Sequence, residues 1–399
     1  MSSEGIIKMS LFIANQINQR RDKLIDILLS YESYETAIDE INRSVDCLEN
    51  INIEINNLIT GKVDSLCVFS PLNLPLYSFI IFAVVPSFIA NRLYIRPPEL
   101  VYKILADIDN ELEITNKLQN ISIVNMGRND FICGYVSVSE AVIFIGSYEN
   151  ARYVCGKCTD SLFIYNGAGI NPIIVTESAD IDLAVEKTID MRVFNSGQDC
   201  AGPDAILVDA RILEKFTGRL KEECSNLKIG DYHDKKNRIG KLGNYKQIPI
   251  ISSFFDKYHK QIIYGGDINF KNYIVNPTII VNRLENCSGY QEFFAPVFNI
   301  IEYQDKFELK RYFSNKEYKD HCMYTSLFGD MELIDELAST LVLKNKIVNE
   351  VERGNYAYGG FGSKASFVSY NSTRFSKPIL ISEEISRFLI NKQNGSSHI

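Results

Sequence analysis

Among the residues able to do covalent chemistry, one sulfur stands apart. In the stretch Met191 to Val208, MRVFNSGQDCAGPDAILV, Cys200 follows Asn195, Gly197 and Gln198. A thiol behind a glycine turn, with amide and backbone donors close by, can be held as a thiolate facing a cleft, whereas one inside a regular helix is inert packing. A thiolate so placed attacks carbonyl carbons. The attack needs donors for the oxyanion that develops and, where water is to release the product, a base. Asn73, between two prolines in SPLNLPL (Ser70 to Leu76), carries an amide that can donate to an alkoxide without taking up a proton, although an asparagine in such a turn more often serves local turn chemistry.

The elements that must position these groups follow from periodicity. Leu24, Ile25, Ile27, Leu28 and Leu29, then Ala37, Ile38, Ile41, Val45 and Leu48, predict two amphipathic helices over residues 7–58, a cover for a sheet. A strand from Ser65 to Phe69 delivers the Asn73 turn. A second, Leu93 to Ile95, runs into Arg96, Pro97, Pro98 and Glu99, and a helix follows from Leu100 to Leu118. AVIFIGSYENARY (Ala141 to Tyr153) is a strand that breaks at Gly146 and Ser147 into a helix, a junction whose free N–H groups either cradle a phosphate or simply close a turn. SLFIYNGAGINPIIV (Ser161 to Val175) is strand, glycine turn, strand, and Asp180 and Asp182 open the next helix as caps. A helix from Ile212 to Leu227, a hairpin within Ile262 to Asn282 and a strand then helix within residues 321–344 follow. Ile379 and Ile381 alternate in the tail, which predicts a strand able to pair with another subunit's sheet.

Composition narrows the class. A chain of 399 residues implies two or three structural units, and 46% hydrophobic with 23% charged residues is a globular balance. The net charge of −8 argues against nucleic-acid or anionic-membrane surfaces. The longest apolar run, Leu76 to Ala90, contains Pro86 and falls short of the roughly 20 residues of a membrane helix, so a buried strand or helix is expected. No secretion signal opens the chain, and nine cysteines without regular spacing suit a reducing cytoplasm. Cys155 and Cys158 form a CxxC without a second ligand pair, read as ordinary helix residues. His233, His259, His321 and His398 are scattered, so no metal is expected.

FNSGQDCAG resembles the active-site signature of the NAD(P)-dependent aldehyde dehydrogenase superfamily, and four further blocks fall in that family's order. The resemblance implies an aldehyde-dehydrogenase-like α/β fold: a Rossmann-type NAD(P)-binding domain over 1–168, an α/β catalytic domain over 169–370 carrying Cys200, and a tail, 371–399, that returns to the first domain or pairs between subunits. It places Asn73 in the oxyanion hole, Arg96 and Glu99 at the adenosine ribose, Gly146 and Ser147 at the pyrophosphate, Glu292 at the nicotinamide ribose and Phe294 beside the ring. It leaves NAD versus NADP open. Asn166 stands where the family has the glutamate that activates water, and an amide cannot serve as a base at neutral pH. The resemblance therefore implies a Cys200 thiohemiacetal and thioacyl-enzyme worked in the reductive or acylating direction, with an aldehyde or acyl thioester as substrate and coenzyme A or a carrier protein as donor. Hydrolytic oxidation, with Glu292 or a water chain as base, is the second expectation; an inactive scaffold is the third. The family's N-terminal arm and most of its extra hairpin have no counterpart, so the family's usual oligomer is not implied; the subunit count stays open, with a homodimer among the options.

Overall fold

The computed structural model describes residues 1–394 except 159, 168, 287, 288 and 333, so His398 lies outside the described residues. Two seven-stranded sheets organise it. In the first, β1 (Val63–Phe69), β2 (Ala90–Arg96), β3 (Ile121–Ile123), β4 (Ala141–Ile145) and β5 (Leu162–Asn166) run parallel in the order β3-β2-β1-β4-β5. β5 is buried throughout and β4 in all but its last residue, as helix cover on both faces of a parallel sheet requires. The second unit contributes β6 (Ile173–Val175), β7 (Ile206–Asp209), β8 (Ile262–Tyr264), β9 (Ile268–Asn269), β10 (Ile274–Val275), β11 (Thr278–Arg283), β12 (Val297–Tyr303), β13 (Tyr324–Phe328) and β14 (Leu341–Lys344). Its sheet has the order β14-β13-β6-β7-β12-β11-β8, and only β8 is antiparallel to its neighbour. β9 and β10 form a separate two-stranded ladder within the expected hairpin.

The chain then goes back. β15 (Ser366–Tyr370) pairs antiparallel with β5, and β16 (Thr373–Phe375) with β15, so both belong to the first sheet. The return thus begins before residue 371. Beyond it, the expected tail strand is a helix, Ile381–Gln393, that buries Ile381, Ile385, Phe388 and Leu389 in the first unit's own core. Ile379 bridges to Tyr358 of the same chain.

Other expectations shift in detail. Residues 7–58 hold three long helical segments, Ser3–Gln19, Arg21–Leu28 and Tyr34–Glu49, the first and third capped by Ser2 and Ser33. Leu76 to Ala90 is largely a buried helix with a wide turn over Ile80–Val84. The helix after Glu99 stops at Leu112, because Glu113 takes a left-handed φ of 53°. The segment after β13 is a short 3-10 turn, Asp335–Ser339, and then β14, where a helix was expected: Val342 and Leu343 pack as sheet residues beside β13. Cys155 ends the helix Tyr148–Cys155 and Cys158 lies beyond it. Among the described residues no group of His, Cys, Asp and Glu could hold a metal, and no helix is long and apolar enough to cross a membrane.

Candidate active site

The loops leaving the carboxyl ends of β1, β2, β4 and β5 meet the Cys200 loop and the segment before β12 around one cavity of about 590 Å³. Ligands of open parallel sheets bind at this edge. Its wall includes Cys200, Asn73, Asn166, Arg96, Gly146, Ser147, Glu292 and Phe294, residues spread over more than 220 positions of sequence. Glu99 is the exception. It is exposed on the first turn of the helix Glu99–Leu112 and takes no part in the wall.

The Cys200 loop is held by its backbone shape. After the helix Ile181–Val193, Asn195, Ser196 and Gly197 all adopt positive φ, at 48°, 55° and 81°. Position 197 has no room for a side chain, since a Cβ there would lie 2.4 Å from the carbonyl carbon and oxygen of Ala295. The Asn195 N–H donates to Thr36 Oγ1 (3.0 Å), Gly240 N–H to Ser196 Oγ (3.0 Å) and Asn244 N–H to Gln198 Oε1 (3.1 Å). Two further residues tie the loop down. Asn171 Nδ2 donates to the carbonyls of Cys200 (2.9 Å) and Gly169 (3.2 Å), while its Oδ1 accepts from Tyr324 N–H (3.3 Å). The fully buried Arg192 guanidinium donates to the carbonyls of Gly197 (2.6 Å) and Phe293 (2.7 Å) and faces Asp204 at 3.7 Å. Asp204 Oδ1 in turn accepts from Phe293 N–H at 3.0 Å. Arg192 and Asp204 therefore clamp the Cys200 loop to the strand entry bearing Glu292.

The Asn73 turn is built similarly. Leu74 is left-handed at φ 50°, Ser78 Oγ donates to the Asn73 carbonyl (3.1 Å), and Tyr31 donates its hydroxyl to the Leu72 carbonyl. Glu40 Oε2 accepts from Tyr77 N–H at 3.0 Å just behind it. At the end of β5, Asn166 lies against the loop glycine Gly359, where a Cβ would come within 2.5 Å of its Oδ1.

Acidic side chains crowd the cysteine. Burial, then the carboxylates of Asp199, Glu352 and Glu292, push the Cys200 thiol well above its usual range. Burial raises Glu352 to about 7, with Arg43 opposing and Asp199 and Asp39 adding to the shift. Glu292 is pushed well up by burial and then by Asp204, against Arg192. At the far end, Arg96 and Arg128 both face the cavity, and burial followed by their mutual repulsion lowers the Arg96 pKa. Among the described residues neither arginine has a carboxylate within 4 Å; Arg96 instead donates to the Met126 carbonyl and Arg128 to Asn150.

Comparison with known proteins fits this arrangement. The model of the Aldehyde dehydrogenase family matches residues 120–376, a span containing Gly146, Asn166, Cys200 and Glu292. The chain belongs to the aldehyde dehydrogenase family. A lactaldehyde dehydrogenase of Methanococcus maripaludis strain C5 is 26% identical over 384 residues, covering 87% of this chain and 80% of its own. Among solved structures, a glyceraldehyde-3-phosphate dehydrogenase of Methanocaldococcus jannaschii complexed with NADP superposes with a TM-score of 0.79 at 18% identity, over 94% of this chain and 90% of that one. A succinic semialdehyde dehydrogenase of Streptococcus pyogenes with NADP⁺ gives 0.80 at 16%, over 95% and 90%. These structural likenesses establish the aldehyde dehydrogenase fold, with the α/β architecture and parallel sheets expected.

Sequence reasoning passed over Asn171, Arg192, Asp199, Glu352, Arg43 and Arg128. Asp199, adjacent to Cys200, and Arg192, one helix end earlier, carried a local signal in their nearness to the signature. Glu352 and Arg43 reach the cavity only through tertiary packing.

Proposed function

We propose that the chain is an NAD(P)-linked aldehyde oxidoreductase working through a thioacyl intermediate on Cys200, with the acyl group exchanged with a thiol. The observation that carries this is the convergence of Cys200, Asn73 and Asn166 with Arg96, Gly146 and Ser147 on one cavity. The residues suit a dinucleotide. Glu292 Oε1 is buried without a hydrogen-bond partner, as befits a carboxyl kept for a ribose diol. Gly146 and Ser147 open the helix Tyr148–Cys155 toward the cavity, where N–H groups receive a pyrophosphate. Arg96 and Arg128 would hold an adenosine ribose or its phosphate. When bound, a nicotinamide cofactor would supply hydride exchange with the substrate's carbonyl carbon.

The chain's own groups do the rest. The Cys200 thiolate adds to the carbonyl, and the Asn73 amide with the Cys200 N–H stabilises the oxyanion. Oxidation leaves a thioester on sulfur. Asn166 cannot draw a proton from water. Burial beside Asp204 pushes the Glu292 carboxyl, the substitute base that hydrolysis would call on, well above its usual range. Both facts favour transfer to coenzyme A or a carrier-protein thiol, or the reverse, reduction of an acyl thioester to an aldehyde. Single-turnover mass spectrometry with an aldehyde plus NAD(P)⁺, and separately with an acyl-coenzyme A, tests this. A Cys200 adduct that survives in water and is discharged by coenzyme A is expected. Prompt release of free acid would make the enzyme hydrolytic, and no adduct from either donor would make it a scaffold.

A further inference from the structure

The Cys200 end of the cavity holds charge that the steps above do not use. Asp199 precedes the nucleophile and is only 9% exposed, and Glu352 enters from the turn after Val348–Glu350; both line the wall. Arg43, whose charge offsets part of theirs, already has a close partner. Asp39 pairs with it at 2.8 Å, and the rings of Tyr77 and Phe194 lie 5.7 and 5.9 Å from its guanidinium carbon. Among the described residues, no cation lies within 4 Å of Asp199 or Glu352, and no side chain or N–H donates to the Glu352 carboxyl. The same wall carries Tyr77, Tyr324 and Tyr358, each close enough to Glu352 to feel its charge, and Phe82, ring to ring with Tyr358 at 6.3 Å.

We infer that the substrate presented to Cys200 carries a cationic group, an ammonium or a quaternary ammonium, seated between the Asp199 and Glu352 carboxylates and these aromatic faces. Carboxylates and the negative faces of aromatic rings attract the same kind of ligand, and the attraction strengthens where water is excluded. A cation would favour the ionised forms of both carboxyls, whereas a neutral substrate gains nothing from them and an anionic one would meet two acidic groups. A positive group there also opposes the acidic neighbours that raise the Cys200 thiol, so the proper substrate would help to activate its own nucleophile. The inference deepens the reading of Cys200 as nucleophile and rests on it.

Two measurements test it. In the first, Cys200 alkylation by iodoacetamide is followed in the presence of choline or of its neutral isostere 3,3-dimethylbutan-1-ol. Choline is expected to protect at about tenfold lower concentration, and Glu352→Gln to remove most of that advantage. Equal protection by the two alcohols would overturn the inference without any need for turnover. In the second, kcat/KM is compared for trimethylammonioacetaldehyde, its isostere 3,3-dimethylbutanal and the anionic succinic semialdehyde. The cation is expected to lead by about tenfold or more. A lead by the neutral or the anionic aldehyde would overturn the cation site, in the latter case with Arg43 as the carboxylate's partner. Selective protection by choline without a Cys200 adduct from any aldehyde would leave the cation site standing and sink the proposed chemistry.

Discussion

Replacing Asn166 with glutamate asks whether the lack of a base is what keeps the acyl group on Cys200. The carboxamide is 3% exposed at the end of β5, in the cavity wall, with Gly359 pressed against its Oδ1. The added methylene cannot go toward Gly359, so the new carboxyl must point into the cavity, whose 590 Å³ accepts it. Overpacking would otherwise cost about 1–3 kcal/mol. A positioned general base is worth about 10²–10⁴ in rate, and each decade is about 1.4 kcal/mol of barrier, so Asn166→Glu should lower the deacylation barrier by about 3–6 kcal/mol. The lower end is expected here. Burial raises a carboxyl at this place above its usual range, so the gain grows as pH rises through neutrality. The assay is the decay of the acyl-enzyme mass in water between about pH 6 and 9, with Asn166→Gln as a control of similar size that brings no base. A wild-type enzyme that deacylates as fast as Asn166→Glu, or a glutamine variant that gains equally, would refute the reasoning.

Removing either cavity arginine, Arg96→Ala or Arg128→Ala, should weaken NADP far more than NAD, because two unpaired cations favour the extra phosphate; measured KM values for the two cofactors check this, and equal losses would place the phosphate elsewhere. Carboxylates and burial hold the Cys200 thiol up, so its alkylation rate should still be climbing at about pH 9, and Asp199→Asn should speed it at fixed pH. Burial pushes the Glu40 carboxyl up to about 7. A carboxyl whose folded pKa is raised lends stability at acid pH and loses it as pH climbs to that value. The urea midpoint of wild type should thus fall across that window, with a shallower slope in Glu40→Gln. Gly197→Ala forces a side chain onto the Ala295 carbonyl at positive φ, and a stability loss of about 2 kcal/mol or more, with slowed Cys200 labelling, is expected.

What could be read beforehand was local. The turn at Gly146, the asparagine turn after β1 and the loop before Cys200 each announce themselves because glycine, proline and asparagine constrain their own backbone. Where tertiary contacts decide, the reading failed. Ile379 and Ile381 alternate like a strand for two positions, yet Ile381, Ile385, Phe388 and Leu389 carry the longer helical rhythm that packing rewards. The Leu341–Lys344 segment becomes a strand because β13 lies ready to pair with it. Glu352 sits some 150 residues from Cys200 in sequence and no spacing rule links them; only the fold puts both on one wall. Glu99 shows the converse, a residue with the right neighbours in sequence that the helix turns outward.

The pairing of β15 with β5 also bears on how the molecule comes into being. A chain emerging from the ribosome exposes β5 roughly 200 residues before the partner that covers its open edge is made. Until then an apolar, unpaired strand edge stands ready to recruit other chains. The first unit cannot be completed in the order it is synthesised, so its sheet must be held incomplete while the second unit is built, and any product cut short before Ser366 would carry every residue of the reactive site and still present that sticky edge.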